Sequence, residues 1–346
     1  MSHPHILFIR FSALGDVAML VPIVHALATQ HPEVRVTVLS RPFAKPLFEN
    51  IAPNVGFMGA DLKTQYNGIR GLNKLYRRIV AKKPTHIADC HGVLRTYYLR
   101  LRFNLGHFKV EHINKHRKEK RALTATKKTS FKQLATSFQN YADVVERLGF
   151  AITPDMRSIF GDMRGNLRLL PDTVSEKKTH QQWVGIAPFA THKGKIYPLD
   201  KMEQVVRILS EKHPNMRIFL FHGRGEEAAL MAQWEQRYKN VSSASALLGG
   251  IGKELILMSH LNVMLSMDSS NMHLASLVAC PVVSIWGATH RYAGFLGWNQ
   301  RVEDCIELDL PCRPCSIYGS HPCLFKDYHC LNISPETIVE KVEEYC

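Results

Sequence analysis

Short apolar and β-branched runs alternate with helical stretches along the chain, and this alternation restricts the fold more than any other feature. In the first half, the strand-like runs HILFIRF and VRVTVLS enclose a helical stretch from about Asp16 to Gln30. FMGAD and THIADCHG follow as shorter strand-like runs. Strands that alternate with helices predict parallel, doubly wound sheets, with a ligand site at the carboxyl ends of the strands.

A second series of the same kind follows a looser stretch that we interpret as a linker at 166–180. Its strand-like runs are WVGIAPFA, RIFLFHG, VMLSMDS and PVVSIWG, with helical stretches between them. The predicted domains are therefore 1–165 and 181–333. A C-terminal helix is predicted at 334–346, with Ser334 as its N-cap and Pro335 as its first residue. The polar and basic segment 114–133 shows poor periodicity and is predicted to be a mobile loop.

The charge of the chain is distributed unevenly. Residues 1–150 contain 24 Lys and Arg against 9 Asp and Glu, whereas the remaining residues contain 20 and 21. This asymmetry indicates an anionic partner for the first half: nucleic acid, acidic lipid or a phosphorylated substrate. The alternative is a basic face that serves solubility and binds no partner.

Several classes of protein are not supported by the sequence. No run approaches the ~20 apolar residues of a membrane span, and MSHPHILFIRF lacks the pattern of a signal peptide. The sequence therefore predicts a cytoplasmic protein. Neither G-x-G-x-x-G nor a Walker A motif follows any strand-like run, which argues against a standard dinucleotide site or a P-loop.

A single acid, Asp16, stands at the start of an apolar segment in FIRFSALGDVAML. It could cap the following helix by accepting backbone N–H bonds. It could equally act as a general base whose apolar neighbours raise its pKa. The residues alone leave both interpretations open. Pro22, deep in the same segment, predicts a kink or a regular helix that begins only near Leu20.

Four stretches together resemble glycosyltransferase family 9, the ADP-heptose:lipopolysaccharide heptosyltransferases. They are FIRFSALGDVAMLVP, THIADCHGVLRT, PFATHKGKIYP and SMDSSNMHLASLVACPVVSIWGATH. The resemblance implies a GT-B fold, in which two Rossmann-like domains face each other across a cleft. The N-terminal domain would bind the acceptor, and the C-terminal domain would bind the nucleotide sugar. It also implies inverting transfer of a heptose from ADP-heptose to the lipopolysaccharide inner core.

The resemblance also implies roles for individual residues. Asp16 would be the general base of a metal-independent reaction that requires no cofactor, and the chain contains no Asp-x-Asp. His192 and the Ser269–Ser270 pair depart from the family pattern, which commonly has a second threonine and a Thr-Gly pair. The choice of Glu226 over Glu227 for the ribose is a guess. The expected donor-binding residues are Thr191, Lys193, Lys195, Glu226, Asp268, Ser269, Ser270 and His273.

The basic first half would bind the anionic glycolipid acceptor at the inner face of the cytoplasmic membrane, with the protein held there peripherally by charge. Two alternatives are a GT-B-like sugar-nucleotide epimerase and a basic nucleic-acid-binding protein. The second lacks the expected aromatic stacking motifs or a recognised module, so we expect no nucleic-acid partner. The expected acceptor-binding residues are Arg95, Arg100, Lys115, Arg117, Lys118 and Arg121.

Four cysteines near the C-terminus form C-x2-C-x7-C-x6-C, at Cys312, Cys315, Cys323 and Cys330. In a cytosolic protein such a cluster indicates a metal site before it indicates disulfides. Four thiolates suit tetrahedral zinc, which would stabilise a loop with little core of its own. The alternative is a set of reduced thiols without a metal. We expect no catalytic role for this cluster.

Overall fold

The structure is a computed structural model that describes residues 3–128 and 130–346. The chain divides into two compact units: Met1–His116 with Ala135–Ile159, and Arg117–Leu134 with Phe160–Cys346. They are called the first and the second unit below. Within the described residues, no helix combines the length and the apolar character needed to cross a membrane.

The strands of the described residues all pair in parallel, in two separate sheets. Those of the first unit are β1 (His5–Ile9), β2 (Arg35–Ser40), β3 (Val55–Gly59), β4 (His86–Asp89) and β5 (Lys109–His112). Those of the second unit are β6 (Trp183–Ala187), β7 (Arg217–Leu220), β8 (Val241–Ser243), β9 (Val263–Met267), β10 (Val282–Trp286) and β11 (Cys305–Glu307).

The α-helices of the described residues alternate with these strands. In chain order they are α1 (Leu14–Ala18), α2 (Val21–Gln30), α3 (Gly68–Val80), α4 (Leu94–Leu105), α5 (Arg117–Leu123), α6 (Ser137–Arg147), α7 (Asp172–Ser175), α8 (Leu199–Lys212), α9 (Glu226–Arg237), α10 (Ala244–Leu248), α11 (Ile251–Met258), α12 (Ser270–Leu277) and α13 (Pro335–Glu343).

The sheet of the first unit has the strand order β3-β2-β1-β4-β5. Every residue of β1 is buried, because the strand lies at the centre of the sheet with both faces covered. A strand that is covered on both faces requires a continuous apolar run, and the run HILFI therefore predicts this strand. Pro22 occupies the first turn of α2, where a backbone N–H would have no partner within the helix, so the N–H that proline lacks costs nothing there. The segment divides into α1 and α2, and the longer helix begins at Val21, close to the expected start near Leu20.

The sheet of the second unit has the order β11-β10-β9-β6-β7-β8. Both sheets therefore follow the Rossmann arrangement, in which the chain winds outward from a central strand in each direction in turn. At the C-terminus, the Ser334 hydroxyl accepts the N–H of Thr337 at 3.2 Å, and α13 begins at Pro335 as predicted. The predicted boundaries at 165, 180 and 333 stay predictions.

Segment 114–133 differs from its prediction as a loop, because it contains α5 and most of it forms part of the second unit. Leu123 and Leu134 bury their side chains in a cluster with Ala293. The N–H of Leu134 also donates to the backbone oxygen of Tyr292 at 2.9 Å. A helix of seven residues spans only two turns and shows little periodicity in the sequence, which explains the error. Thr129 of this segment lies outside the described residues.

Candidate functional site

The loop after β1 holds Asp16 and Arg10 together. Oδ2 of Asp16 accepts the backbone N–H of Ala13 at 3.1 Å and pairs with Nη2 of Arg10 at 2.5 Å. Arg10 is buried and also donates to the backbone oxygen of Cys90 at 2.7 Å, so its guanidinium links the ends of β1 and β4. The Asp16 side chain remains 27% exposed. Asp16 is therefore not the N-cap that the capping alternative expected, because Ala13 holds that position; it accepts the N–H of this N-cap residue from the third position of α1 and also remains open to solvent.

Arg10 is a residue that sequence reasoning missed. It is the single cation in the run HILFIRF, directly after the last residue of β1. A charged residue in such a run is rarely buried unless it is paired, and this was the available signal. The apolar surroundings expected around Asp16 thus include the guanidinium of Arg10.

The loop after β4 is organised by Asp89, whose side chain is fully buried. Its Oδ1 accepts the backbone N–H groups of His91 and Gly92 at 2.9 and 3.0 Å. Its Oδ2 lies 3.1 Å from Nε of Arg100. Arg100, expected to bind the acceptor, therefore has its charge balanced within the protein. These contacts fix the direction in which the loop leaves the sheet.

His91 is a second residue that sequence reasoning missed, although it follows the THIAD strand directly. Its Nε2 lies 3.4 Å from Oγ of Ser12, in the loop that carries Asp16. Burial, together with the positive charges of Arg10 and Lys115, lowers the pKa of His91 to about 3. The ring is therefore neutral near pH 7. Its buried Nδ1 has no hydrogen-bond partner among the described residues.

The loops after β1 and β4 meet where the winding direction of the first sheet reverses. Ligands of such sheets bind at this switch point, at the carboxyl ends of the strands. Asp16 comes from one side of it and His91 from the other. Lys115, which follows β5, lies against the same loop: a Cβ on Gly92 would come 3.1 Å from its Cε. These residues form the candidate site of the first unit.

The switch point of the second sheet lies between β6 and β9, and it brings together two predicted residues. Nζ of Lys195, in the loop after β6, lies 3.0 Å from Oδ2 of Asp268, which directly follows β9. The hydroxyl of Thr289, after β10, donates to the same oxygen at 2.8 Å. The Asp268 side chain is 4% exposed and that of Lys195 is 16% exposed. Thr191 and Lys193 are exposed in the same loop as Lys195.

A buried arginine holds the loop that carries Thr289. Arg313 donates to the backbone oxygens of Gly287 and Thr289 at 2.6 and 2.9 Å, and it pairs with Glu307 at 3.1 Å. Its side chain is only 3% exposed. Sequence reasoning missed both Thr289 and Arg313. Thr289 lies in the stretch SIWGATH, which is part of the resemblance to the family. Arg313 lies among the C-terminal cysteines, where no motif indicated a role for it.

The remaining predicted donor residues lie at two helix starts. Ser269 is the N-cap of α12 and Ser270 its first residue, and His273 is buried one turn further on. At the start of α9, Glu227 accepts the N–H of Gly223 at 2.6 Å. Glu226 is exposed beside it. A carboxylate already engaged by the loop is less suited to a ribose, which favours the choice of Glu226.

Comparisons with known proteins identify the family of the chain. The family model for glycosyltransferase family 9 (heptosyltransferase) matches residues 115–328, which is more than half of the chain. The chain belongs to glycosyltransferase family 9. No curated protein matches this family member significantly.

Solved structures resemble this glycosyltransferase over nearly its whole length. E. coli heptosyltransferase WaaC, solved with ADP, is 15% identical, with a TM-score of 0.67 over 99% of this chain and 100% of that chain. A family 9 glycosyl transferase from Veillonella parvula DSM 2008 is 17% identical, with a TM-score of 0.73 over 100% and 98%. E. coli ADP-heptose lps heptosyltransferase II is 15% identical, with a TM-score of 0.70 over 99% and 98%. The predicted α/β fold of the GT-B type, with two parallel sheets, is thereby confirmed.

The acceptor residues predicted for the glycosyltransferase do not all lie in one unit. Arg95, Arg100 and Lys115 belong to the first unit. The other three, on α5, belong to the second unit and are exposed: Arg117, Lys118 and Arg121. Their roles as acceptor ligands stay predictions.

The cysteines of the glycosyltransferase do not assemble the zinc site that their spacing predicted. Among the described residues, no group of three or more His, Cys, Asp or Glu side chains could hold a metal ion. Cys330 is buried in the hydrophobic core, Cys312 is exposed, and the thiol of Cys323 donates to Asp327 at 3.7 Å. Burial raises the pKa of Cys315 and of Cys330, and the thiols of Cys312 and Cys323 add to this effect, so the four thiols lie near one another. We derive no function from them.

Proposed function

We propose that this glycosyltransferase transfers a heptose from ADP-heptose to the inner core of lipopolysaccharide, with inversion and without a metal ion. The observation that carries the proposal is the pair of Lys195 and Asp268 at the switch point of the second sheet. It supports a diphosphate site beside the start of α12. Among proteins of similar fold, WaaC has been solved with ADP.

The donor half of the reaction belongs to the second unit. Asp268 is held by Thr289 and in turn orients the ammonium of Lys195. Lys193 and Thr191 lie in the same loop, and the first backbone N–H groups of α12 have no helical partners. Cations and such N–H groups together stabilise a diphosphate as its negative charge develops. Glu226 would accept hydrogen bonds from the ribose hydroxyls.

The proposed general base belongs to the first unit, whereas the proposed acceptor ligands are divided between the two units. In a single displacement, the acceptor oxygen bonds to the anomeric carbon while the bond from that carbon to the diphosphate breaks. Asp16 takes the hydroxyl proton, and ADP leaves with the electron pair. Both contacts of Asp16 use Oδ2, so we assign the proton transfer to Oδ1. The neutral His91 borders the same site through the contact of its Nε2 with Ser12.

The acceptor in this proposal is an anionic glycolipid at the inner face of the cytoplasmic membrane. The proposed contacts are cationic, and cations recognise the phosphates and acidic sugars of such a lipid through charge-assisted hydrogen bonds. Peripheral attachment to the membrane would follow from the same charges. The proposed acceptor ligands are Arg95, Arg100, Lys115, Arg117, Lys118 and Arg121.

Calorimetric titration with nucleotides tests the donor assignment without any acceptor. ADP should bind more tightly than UDP or GDP, and ADP-heptose should bind at the same site. Lys195→Ala should weaken ADP binding about 10- to 100-fold, because a hydrogen bond to a charged group contributes ~1.5–3 kcal/mol. Lys201→Ala is the matched control, since Nζ of Lys201 binds Asn332 at 2.7 Å. Equal ADP affinity in Lys195→Ala and the parent would contradict the proposed donor site.

A further inference from the structure

Helix α4 exposes a row of large apolar side chains to solvent. Leu94 is 87% exposed, Tyr97 60%, Leu101 51% and Leu105 71%. At 3.6 residues per turn, these positions fall on one face of the helix. The row is therefore a continuous apolar stripe of about 17 Å rather than a set of scattered side chains.

The opposite face of α4 is also apolar and forms part of the core. Thr96, Leu99 and Phe103 are fully buried there. A surface helix normally places polar residues opposite its buried face. Here arginines occupy only the two flanks, with Arg95 and Arg102 on one side and Arg100 on the other. Folding of the first unit explains the buried face but gives no reason for the exposed stripe.

The surface around the stripe is strongly basic. Helices α3 and α4 together contain seven Lys and Arg and no Asp or Glu. The two helices contact each other: the Tyr98 hydroxyl donates to Oδ1 of Asn73 at 2.8 Å, and Arg102 lies over the ring of Tyr76 at 4.5 Å. Four of the seven cations are exposed on α3, at Arg70, Lys74, Arg77 and Arg78.

We propose that the exposed face of α4, flanked by the basic residues of α3, docks onto a lipid bilayer that contains anionic lipids. A helix with this pattern lies in the plane of the membrane interface, with its apolar side chains among the acyl chains and its cations at the headgroups. Among the flanking arginines, the exposed Arg95 has an aliphatic stem long enough to reach the phosphates from there. Each cation near an anionic membrane surface adds about 1 kcal/mol of attraction.

The position of the stripe fits a lipid-linked substrate. Leu94 follows the His91 loop directly, so the stripe begins at the carboxyl end of the sheet, where Asp16 lies. A bilayer on this face would present headgroups beside the candidate site of the first unit. The docking surface thus extends the proposed function, because it would bring a lipid-linked acceptor to the site. Binding to vesicles, however, requires neither the nucleotide-sugar donor nor sugar transfer.

Charge favours a membrane over a second copy of the chain. A symmetric dimer brings the same patch of both copies together. Such a contact through α4 would place two sets of cations opposite each other, with no acid on either helix to balance them. An anionic bilayer complements both the apolar stripe and the surrounding charge.

Co-sedimentation with vesicles tests the inference. The full chain should bind vesicles of phosphatidylethanolamine with phosphatidylglycerol more tightly than vesicles of phosphatidylcholine, and added salt should weaken this binding. A triple variant, Leu94→Gln, Leu101→Gln and Leu105→Gln, should bind the anionic vesicles at least about tenfold more weakly. Glutamine preserves helix propensity and net charge.

The matched control exchanges three exposed leucines elsewhere for glutamine: Leu169 (61% exposed), Leu247 (38%) and Leu324 (77%). This control should bind vesicles within about twofold of the parent, and both triple variants should keep the parent's ADP affinity. Equal vesicle binding by the α4 variant and the control would overturn the inference, as would no binding by the parent. Sedimentation velocity provides the remaining test, since a parent dimer that the α4 variant abolishes would identify the stripe as a self-association surface instead. If the parent protein does not bind ADP, this result counts against the proposed function and not against the docking surface.

Discussion

At the scale of single residues, the proposed catalytic role of Asp16 falls on a carboxylate that also contributes to the fold. One of its oxygens stabilises the start of α1 and neutralises a buried guanidinium. The contacts with Ala13 and Arg10 both use Oδ2, and the proposal assigns the acceptor proton to Oδ1. Removal of its charge should therefore affect both stability and turnover, by separate mechanisms.

Asp16→Asn should lower kcat about 10²- to 10⁴-fold, the usual contribution of a positioned base. It should also lower the melting temperature, because the buried Arg10 loses its ionic partner. Tyr141→Phe is the matched control: the Tyr141 hydroxyl donates to the backbone oxygen of Asp16 at 3.2 Å, so this variant loses a contact to the same residue but keeps the carboxylate. Its kcat should stay near that of the parent. An Asp16→Asn enzyme with the parent's kcat, measured on the folded fraction, would exclude the catalytic role.

At the scale of elements, α5 carries three exposed cations and is anchored by packing of the segment that follows it. Reversal of these charges in Arg117→Glu, Lys118→Glu and Arg121→Glu should raise the KM for the acceptor and leave ADP affinity unchanged. High salt should reproduce part of the effect, because it screens exposed charges. The control reverses three exposed cations of the same unit, Arg168, Lys239 and Lys253. If both triple variants raise the acceptor KM equally, the net charge of the unit matters and α5 has no specific role.

The elements also show which parts of the fold can be predicted from the sequence. Central strands such as β1 and β9 have every residue buried and are therefore continuous apolar runs. β5, by contrast, reads KVEH and has no buried residue, because it lies at the edge of its sheet. Helix α4 was not predicted, because its apolar residues lie on two opposite faces and obscure the single-face periodicity of an ordinary surface helix.

At the scale of the whole molecule, the candidate sites combine residues that are distant in sequence. Lys195 and Asp268 were both predicted, but their direct contact depends on the order of β6 and β9 in the sheet. Arg313 acts on Thr289 through backbone oxygens, which carry no sequence signal at all. The residue types at a site can thus be predicted from motifs, whereas the partners that hold them depend on the folded topology.

Seven histidines with lowered pKa values give the whole molecule a predictable response to acid. Burial is the largest cause that lowers the pKa of seven of them: His5, His25, His86, His91, His112, His260 and His290. The pKa falls to about 3 in His91 and to about 4 in His290, from an ordinary value of 6.5. Below pH 6.5 the unfolded chain therefore binds protons that the folded chain excludes. The neutral histidines stabilise the folded state fully above pH 6.5. This stabilisation is lost progressively as the pH falls towards the pKa values that the histidines have in the folded protein.

The free energy of unfolding should thus fall between pH 7 and pH 5, by about 2 kcal/mol from His91 alone, since each pH unit below 6.5 contributes up to ~1.4 kcal/mol. Glu254 acts in the opposite direction, because burial raises its pKa, but it is one group against seven. Urea unfolding at pH 7, 6 and 5 measures the change for the parent and for His91→Gln, which cannot titrate. The decrease should be smaller in His91→Gln by about the contribution of that one residue. A parent whose stability is constant or rises from pH 7 to pH 5 would show that these rings take up protons within the folded protein.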